Sequence, residues 1–198
     1  MFQLLAGHPA LDFVNTLDDR FSDSGPNELL PAYADLLRFV AQLRLLSTEQ
    51  ARKLTRDTST REAQRVLASA IELREALAAV LYARMDGARL PAAQVAMLER
   101  HFQEMAVNRS LRTGKSQLVW SWAGHEQNPE IPLWKLAETA ADLLVSTDAE
   151  RVKECGDPTC RWLFLDTSKN HTRRWCDMKV CGNRMKARRF QARAAGIP

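Results

Sequence analysis

Cys155-Gly-Asp-Pro-Thr-Cys160 and Cys176-Asp-Met-Lys-Val-Cys181 are the two stretches that decide how the C-terminal part of this 198-residue chain folds. They hold all four cysteines of the protein, with four residues inside each pair and fifteen residues between the pairs. A short spacer lets one tight turn present two sulfur atoms to one ion, and the longer loop lets the second pair fold back. The spacing predicts one structural zinc ion per chain, bound by Cys155, Cys160, Cys176 and Cys181.

Two alternatives to a zinc site are two disulfides and four buried thiols without a joint role. Disulfides require an oxidising compartment, and residues 1–10 lack the basic and apolar regions of a secretory signal. Unrelated buried cysteines would not all fall within twenty-seven residues of a 198-residue chain. His171 lies in the spacer between the pairs, but a shell of four cysteines is already complete without it.

The charge of the chain is distributed unevenly. Residues 151–198 contain twelve Lys and Arg against four Asp and Glu, whereas residues 1–150 contain sixteen against twenty. A basic surface beside a small zinc-binding fold is typical of a protein that contacts nucleic-acid phosphates, and the alternative is a basic helix that is merely solvated. The residues predicted to contact DNA are Arg173, Arg174, Lys186, Arg188, Arg189 and Arg193.

Two residues after the second cysteine pair are predicted to support the metal site instead. Asn183 is a candidate cap for a helix over residues 184–195. Arg184 follows the last cysteine so closely that its guanidinium is expected to donate to a zinc-bound sulfur or to Asp166. The charge on this helix is not confined to one stripe, because Arg184 and Arg188 share one face and Arg189 and Arg193 share another.

The stretch around the second pair resembles a known family. Trp175-Cys176 and Cys181-Gly182-Asn183-Arg184, with Phe164-Leu165-Asp166 and Arg173-Arg174 upstream, are similar to the CGNR zinc finger. Residues 2–16 resemble the start of the ABATE domain, which precedes that finger in a bacterial family of stress-induced transcription regulators. The resemblance implies DNA binding by the finger, and ligand sensing or dimerisation by the helical domain.

The remaining pattern predicts a mainly α protein. Residues 1–148 are expected to form a multihelical domain with a minor β-hairpin, and residues 149–198 a treble-clef-like zinc finger. Apolar periodicity, a capping-box pattern that begins at Ser47, and breakers place the helices and strands. The predicted helices span residues 28–46, 47–56, 60–86, 91–107 and 131–146, the hairpin pairs residues 110–113 with 116–122, and a finger strand spans residues 161–166.

A short apolar element near the N-terminus carries two polar residues, Asp12 and Asn15, which would share one face of a helix. One interpretation is that they hydrogen-bond nearby backbone and fix the entry of the chain into its domain. The other is that they line a small-molecule pocket together with His8 and Arg20. An enzyme built on that pocket is the alternative function, although the sequence contains no P-loop, dinucleotide glycine pattern, HExxH or nucleophile elbow.

No run of eighteen apolar residues occurs in the sequence, so a membrane span is not expected. The default location is the cytoplasm, with DNA as the principal partner, no membrane partner and a small-molecule ligand as a further candidate. A homodimer is a natural expectation because regulators often read paired half-sites.

Overall fold

The computed structural model describes residues 1–114, 116–122 and 127–194, with side chains as far as Gln191. Two compact units divide the chain. The helical unit consists of Met1–Phe2 and Leu30–Ser146, and the cysteine unit consists of Gln3–Leu29 and Thr147–Pro198. The segment Gln3–Leu29 therefore folds with the four cysteines, although the sequence places it in the helical domain.

The regular elements follow one another along the chain, and most of them are helices. In chain order they are α1 (Pro9–Val14), β1 (Leu17–Asp18), β2 (Asn27–Glu28), α2 (Tyr33–Gln42), α3 (Thr48–Asp57), α4 (Thr60–Met85), α5 (Ala92–Val107), β3 (Arg109–Thr113), β4 (Leu118–Trp122), α6 (Ile131–Val145), β5 (Val152–Glu154), β6 (Leu163–Leu165) and α7 (Asn183–Ala194). A 3-10 helix, Thr147–Arg151, precedes β5, and a π-helical turn, Met178–Gly182, leads into α7.

The helices of the helical unit begin and end at local signals in the sequence. Capping boxes start α3 and α4, with Ser47 paired to Gln50 and Ser59 paired to Glu62. Gly87 ends α4 in the left-handed conformation, with a φ of 64°. The inward faces of α2, α4 and α6 then form an apolar core whose most deeply buried members include Leu36, Leu37, Leu73, Leu77, Leu81 and Leu136.

A β-hairpin extends the helical unit between α5 and α6. Strands β3 and β4 pair antiparallel, with Leu111 opposite Trp120. Trp122 is buried and stacks on Trp134 of α6 with ring centroids 5.9 Å apart. Trp120 is largely exposed, and the Arg109 guanidinium lies 4.1 Å from its ring centroid. The hairpin is thus held at its base by aromatic packing.

The predicted fold class is confirmed: a helical unit with a hairpin and a small treble-clef-like cysteine module. Both boundaries of the first long predicted helix are wrong, because the helix expected over residues 28–46 spans Tyr33–Gln42. Asn27 and Glu28 pair with β1 instead, and the N–H of Leu29 donates to the carbonyl of Thr16 at 2.9 Å. Pro31 has no N–H, so it cannot continue that ladder. In the described parts of the chain, no helix has the length and apolar character needed to cross a membrane.

Candidate metal centre and nucleic-acid interface

The first cysteine pair is presented by a turn that a buried carboxylate stabilises. The carbonyl of Asp157 accepts hydrogen bonds from the N–H groups of Cys160, at 2.9 Å, and Arg161, at 3.1 Å. Arg161 completes the turn with a φ of 54°. The Asp157 Oδ1 atom accepts from the Thr159 N–H at 3.2 Å and hydroxyl at 2.9 Å. Backbone and side chain of one residue therefore fix the position of the cysteine.

The second cysteine pair ends in a π-helical turn that runs directly into α7. Asp177 caps this turn, since its Oδ1 accepts from the N–H of Val180 at 2.9 Å. Asn183 has helical backbone angles, and its Nδ2 donates to the Lys179 carbonyl at 3.0 Å. The prediction that Asn183 caps the helix is wrong, because the helical path begins at Met178 and Asp177 fills the capping position.

The four cysteine sulfurs meet at one point. All four Sγ atoms lie within 4.8 Å of one another, and Cys176 Sγ is 3.6 Å from both Cys160 Sγ and Cys181 Sγ. A zinc ion at about 2.3 Å from each of four tetrahedral sulfurs would hold them about 3.8 Å apart. The thiols are free, and His171 is not part of the cluster. The cluster fits one zinc ion per chain, bound by the four predicted ligands.

The crowded thiols cannot all ionise easily without a cation. Hydrogen bonds with Cys160 and Cys176 lower the pKa of the Cys155 thiol. Their bonds to Cys155 raise the pKa of Cys160 and of Cys176, and burial raises the pKa of Cys181. A dication supplies the charge that stabilises four neighbouring thiolates together. The donor set therefore suits zinc, which favours sulfur ligands in a closed shell.

Two arginines of α7 point back into the cysteine unit toward Asp157, which is fully buried. Asp157 Oδ2 lies 3.2 Å from Arg184 Nε, and Asp157 Oδ1 lies 3.3 Å from Arg188 Nη1. Arg184 also donates to the Thr159 hydroxyl at 3.0 Å and reaches Cys181 Sγ at 4.0 Å. The carboxylate beside Arg184 is thus Asp157, while the alternative partner, Asp166, is engaged elsewhere.

Asp166 is a second fully buried carboxylate and ties the spacer between the cysteine pairs to β5. Its oxygens accept from Lys153 Nζ at 2.7 Å, from the Ser168 hydroxyl at 2.6 Å and from the Arg173 N–H at 3.0 Å. Burial by itself would raise the pKa of Asp166, but these bonds outweigh it and hold the pKa below its usual range. Asp166 therefore stays ionised and orders the spacer.

The Arg173 guanidinium binds backbone carbonyls within the cysteine unit. Its Nε donates to the Trp175 carbonyl at 2.9 Å, and its Nη2 donates to the carbonyls of Leu5, at 3.3 Å, and Cys176. The guanidinium also lies 4.4 Å from the ring centroid of Phe164. An arginine is suited to this role because its planar fork carries several donors. Its predicted contact with DNA stays a prediction, and the structure shows it binding backbone carbonyls.

Asn15, in the N-terminal segment, hydrogen-bonds to the backbone of β6 as a residue of a neighbouring strand would. Asn15 Nδ2 donates to the Leu163 carbonyl at 2.9 Å, and Asn15 Oδ1 accepts from the Leu163 N–H at 3.0 Å. Next to it, the N–H of Leu165 donates to the Ala6 carbonyl at 2.7 Å. The edge of β6 that is not paired with β5 therefore forms hydrogen bonds with residues near the start of the chain.

The other candidates for a small-molecule pocket also have partners in the backbone. Asp12 Oδ1 accepts from the Ala6 N–H at 3.0 Å, and His8 Nδ1 accepts from the Ala10 N–H at 3.2 Å as the cap of α1. Arg20 Nη2 donates to the Val14 carbonyl at 3.4 Å. A ligand role for His8, Asp12, Asn15 and Arg20 stays a prediction.

Asp157 was missing from the residues predicted to form the site, and Asp166 was named only as a possible partner of Arg184. Each has a hydroxyl residue two positions later, Thr159 and Ser168, and each accepts from that residue's N–H and hydroxyl. The pattern Asp-x-Ser/Thr is a known signal for a turn closed by the Asp side chain. It indicates the turn, but it does not reveal that the carboxylate also binds a distant arginine or lysine.

The structure separates the cations of residues 151–198 into two groups. Arg161 pairs with Glu154, Lys153 with Asp166, and Arg184 and Arg188 with Asp157. The fourth acidic residue, Asp177, caps the π-helical turn. Within the described part of the chain, no carboxylate pairs with the exposed residues Lys169, Arg174, Lys179, Lys186 and Arg189. Arg193 lies on α7, and its side chain is outside the described residues.

These features define a helical protein that carries a four-cysteine zinc-binding module near its C-terminus. The family of the CGNR zinc finger matches residues 151–194, and the ABATE family, described as "Putative stress-induced transcription regulator", matches residues 7–147. The chain belongs to the ABATE family and ends in a CGNR zinc finger. Together the two matches support a role in transcription regulation. No curated protein matches the chain.

Proposed function

We propose that this protein regulates transcription by binding duplex DNA through its zinc finger, in the cytoplasm of a bacterial cell. The observation that carries the proposal is the distribution of charge in the finger. Its acidic residues are used in internal ion pairs or a helix cap, whereas several cations remain exposed and without a carboxylate partner among the described residues. Unpaired cations on a small folded module suit a polyanion.

Helix α7 presents the two groups of cations on opposite sides. Arg184 and Arg188, four residues apart, contact Asp157 in the body of the finger. Lys186 and Arg189, three residues apart, share the other side and are exposed. The sequence of α7 contains no acidic residue. Arg188 must give up an ion pair to reach a phosphate, so we propose that Lys186 and Arg189 are the main contacts on the described part of α7.

Two further cations extend the proposed surface. Arg174 is exposed, and its guanidinium lies 5.2 Å from the Trp175 ring centroid, which holds the charge at the surface of the finger. Arg193 belongs to the same proposed set, because it follows Arg189 at helical spacing. Four phosphate contacts would make log K fall with log salt at a slope of roughly −3 to −4.

The test measures binding of zinc-loaded protein to a labelled duplex by fluorescence anisotropy over a series of salt concentrations. Lys186→Ala and Arg189→Ala should each weaken binding and flatten the slope by about one. Arg52→Ala removes one exposed charge from α3 and serves as the matched control, which should leave the slope unchanged. The proposal would be refuted if wild-type protein did not bind DNA either with or without zinc.

We also propose that the helical unit receives a small-molecule signal. An apolar groove of about 570 Å³ lies between α4, α5 and α6, and its lining includes Val80, Leu98, Phe102 and Leu144. This volume lies in the range of sites that hold small organic ligands. A thermal-shift screen of apolar metabolites against wild type and Leu98→Asp tests the proposal. A ligand that stabilises both proteins equally would place binding outside this groove.

A further inference from the structure

The exposed side of α7 carries an aromatic side chain among its cations. Phe190 is 76% exposed, although a phenylalanine in a folded protein is usually buried. It follows Lys186 by four residues, so it lies on the same side of α7 as that cation, and Arg189 is its neighbour in the chain. The opposite side is fixed by the contacts of Arg184 and Arg188 with Asp157. The body of the finger therefore holds Phe190 toward solvent.

We propose that Phe190 reads DNA sequence by contacting the C5-methyl group of a thymine in the major groove, an inference that rests on the proposed function. Lys186, on the same side of α7, and the neighbouring Arg189 select a polyanion as the partner of this surface, because an apolar protein partner would leave these cations without counter-charges. The major groove admits an α-helix, and α7, with twelve residues, is about 18 Å long.

The cations of α7 and Phe190 have different roles in this proposal because they contact different parts of DNA. Lys186 and Arg189 neutralise phosphates whatever the sequence, so they provide affinity and position the helix. A phenyl ring makes no hydrogen bonds to base edges, and the apolar feature that the major groove offers it is the thymine methyl. Phe190 therefore discriminates thymine from the other bases at one position of the site.

The experiment begins with a duplex enriched from a random pool by full-length, zinc-loaded wild-type protein. Each thymine in that duplex is then replaced singly by uracil, which lacks only the methyl group. We expect one uracil replacement to weaken wild-type binding roughly fourfold, the value of one buried methyl-sized group. Phe190→Ala should weaken binding to the parent duplex roughly tenfold or more, from the lost burial of the ring. Phe190→Ala should also bind the parent and uracil duplexes equally.

Two controls separate the outcomes. Val180→Ala shortens another exposed apolar side chain of the finger and should keep the wild-type preference for thymine. Phe190→Leu retains an apolar contact and should keep part of that preference. If the losses from Phe190→Ala and from uracil are simply additive, or if no uracil position matters, Phe190 does not read a methyl group. In that case the salt slopes of Lys186→Ala and Arg189→Ala still decide whether the finger binds DNA at all.

Discussion

The two units of the molecule are stabilised by different kinds of interaction. The helical unit buries rows of leucines from α2, α4 and α6 in a continuous apolar core. The cysteine unit has a small cluster in which Cys155, Cys176 and Cys181 pack with Trp162 and Phe164. Its buried interior also contains Asp12, Asn15, Asp157 and Asp166. A large core contributes stability under most conditions, whereas a small module depends on metal and on the protonation of buried groups.

One kind of interaction, a side-chain amide bound to both backbone groups of another residue, occurs in both units. In the helical unit, Gln42 binds both backbone groups of Phe2, accepting at 3.0 Å and donating at 2.7 Å. In the cysteine unit, Asn15 binds both backbone groups of Leu163 in the same way. The Gln42 contact is partly exposed and the Asn15 contact is buried. The same two hydrogen bonds should therefore matter more in the cysteine unit, where water cannot replace them.

The largest expected effect is from Cys176→Ser, which removes a ligand from the metal centre. We expect the protein to lose its zinc and the cysteine unit to unfold, because metal binding is coupled to the folding of such a small module. The segment Gln3–Leu29 should lose its order together with the finger. Mass spectrometry of the native protein measures zinc, and hydrogen exchange reports on each segment.

The control for this experiment is the helical unit of the same variant. Its helices should remain protected from exchange, and the far-ultraviolet circular dichroism should fall only by the part that the cysteine unit contributes. Protection that persists over residues 3–29 while residues 151–191 exchange freely would mean that the N-terminal segment is ordered without the finger.

The second effect in size is expected from Asn15→Leu. It leaves the N–H and carbonyl of Leu163 buried without their partners, at a cost of about 3–5 kcal/mol for the cysteine unit. Gln42→Leu is the matched variant and should destabilise only the helical unit, by about 1 kcal/mol, since water can reach the freed groups. Urea unfolding followed by hydrogen exchange separates the two. Equal losses would show that burial does not distinguish the two contacts.

The third effect in size is expected from Asp12→Asn, which should stabilise the protein, whereas the two preceding substitutions destabilise it. Burial raises the pKa of Asp12 from 3.8 to about 6 in the folded protein. The folded state therefore binds more protons than the unfolded state between those values, and stability falls as pH rises through that window. Above it, the ionised Asp12 costs on the order of 2–3 kcal/mol. Asp12→Asn should remove this cost.

The measurement for Asp12 is the difference in unfolding free energy between wild type and Asp12→Asn from pH 4 to pH 8. Taking the difference cancels the pH dependence of zinc binding, which both proteins share. The unfolding free energy of the variant should increase relative to that of wild type as pH rises through about 6, and the difference should be constant above that pH. A difference that is independent of pH would show that Asp12 does not titrate in this range.

The smallest effect concerns the two sides of α7. Arg184→Ala removes a donor near Cys181 Sγ and a partner of Asp157, and zinc affinity should fall about tenfold. Lys186→Ala, two residues away on the exposed side, should leave zinc affinity unchanged. Competition with a chromophoric chelator measures both. If Lys186→Ala bound zinc more weakly than Arg184→Ala, the assignment of Arg184 to the side that contacts Asp157 and of Lys186 to the exposed side would be contradicted.

Features that depend on residues close together in the chain could be predicted from the sequence. The cysteine spacing specified the zinc ligands, because each pair lies within one turn and four thiolates complete the shell. The predicted capping box of Ser47 and Gln50 starts α3 at Thr48, because such a box forms between residues three apart, and α4 begins at Thr60 as predicted. The excess of positive charge in residues 151–198 also needed no knowledge of the fold.

Contacts between residues that are far apart in the chain could not be predicted in this way and are seen only in the folded protein. Asn15 and Leu163 are 148 positions apart, and no local pattern shows that an asparagine amide will bind the backbone of a strand in the finger. Arg173 and Arg174 are neighbours with the same side chain, yet Arg173 binds backbone carbonyls and Arg174 lies exposed. Charge and spacing are properties of the chain, whereas the partner of a charge depends on which carbonyls and carboxylates the folded backbone brings within reach.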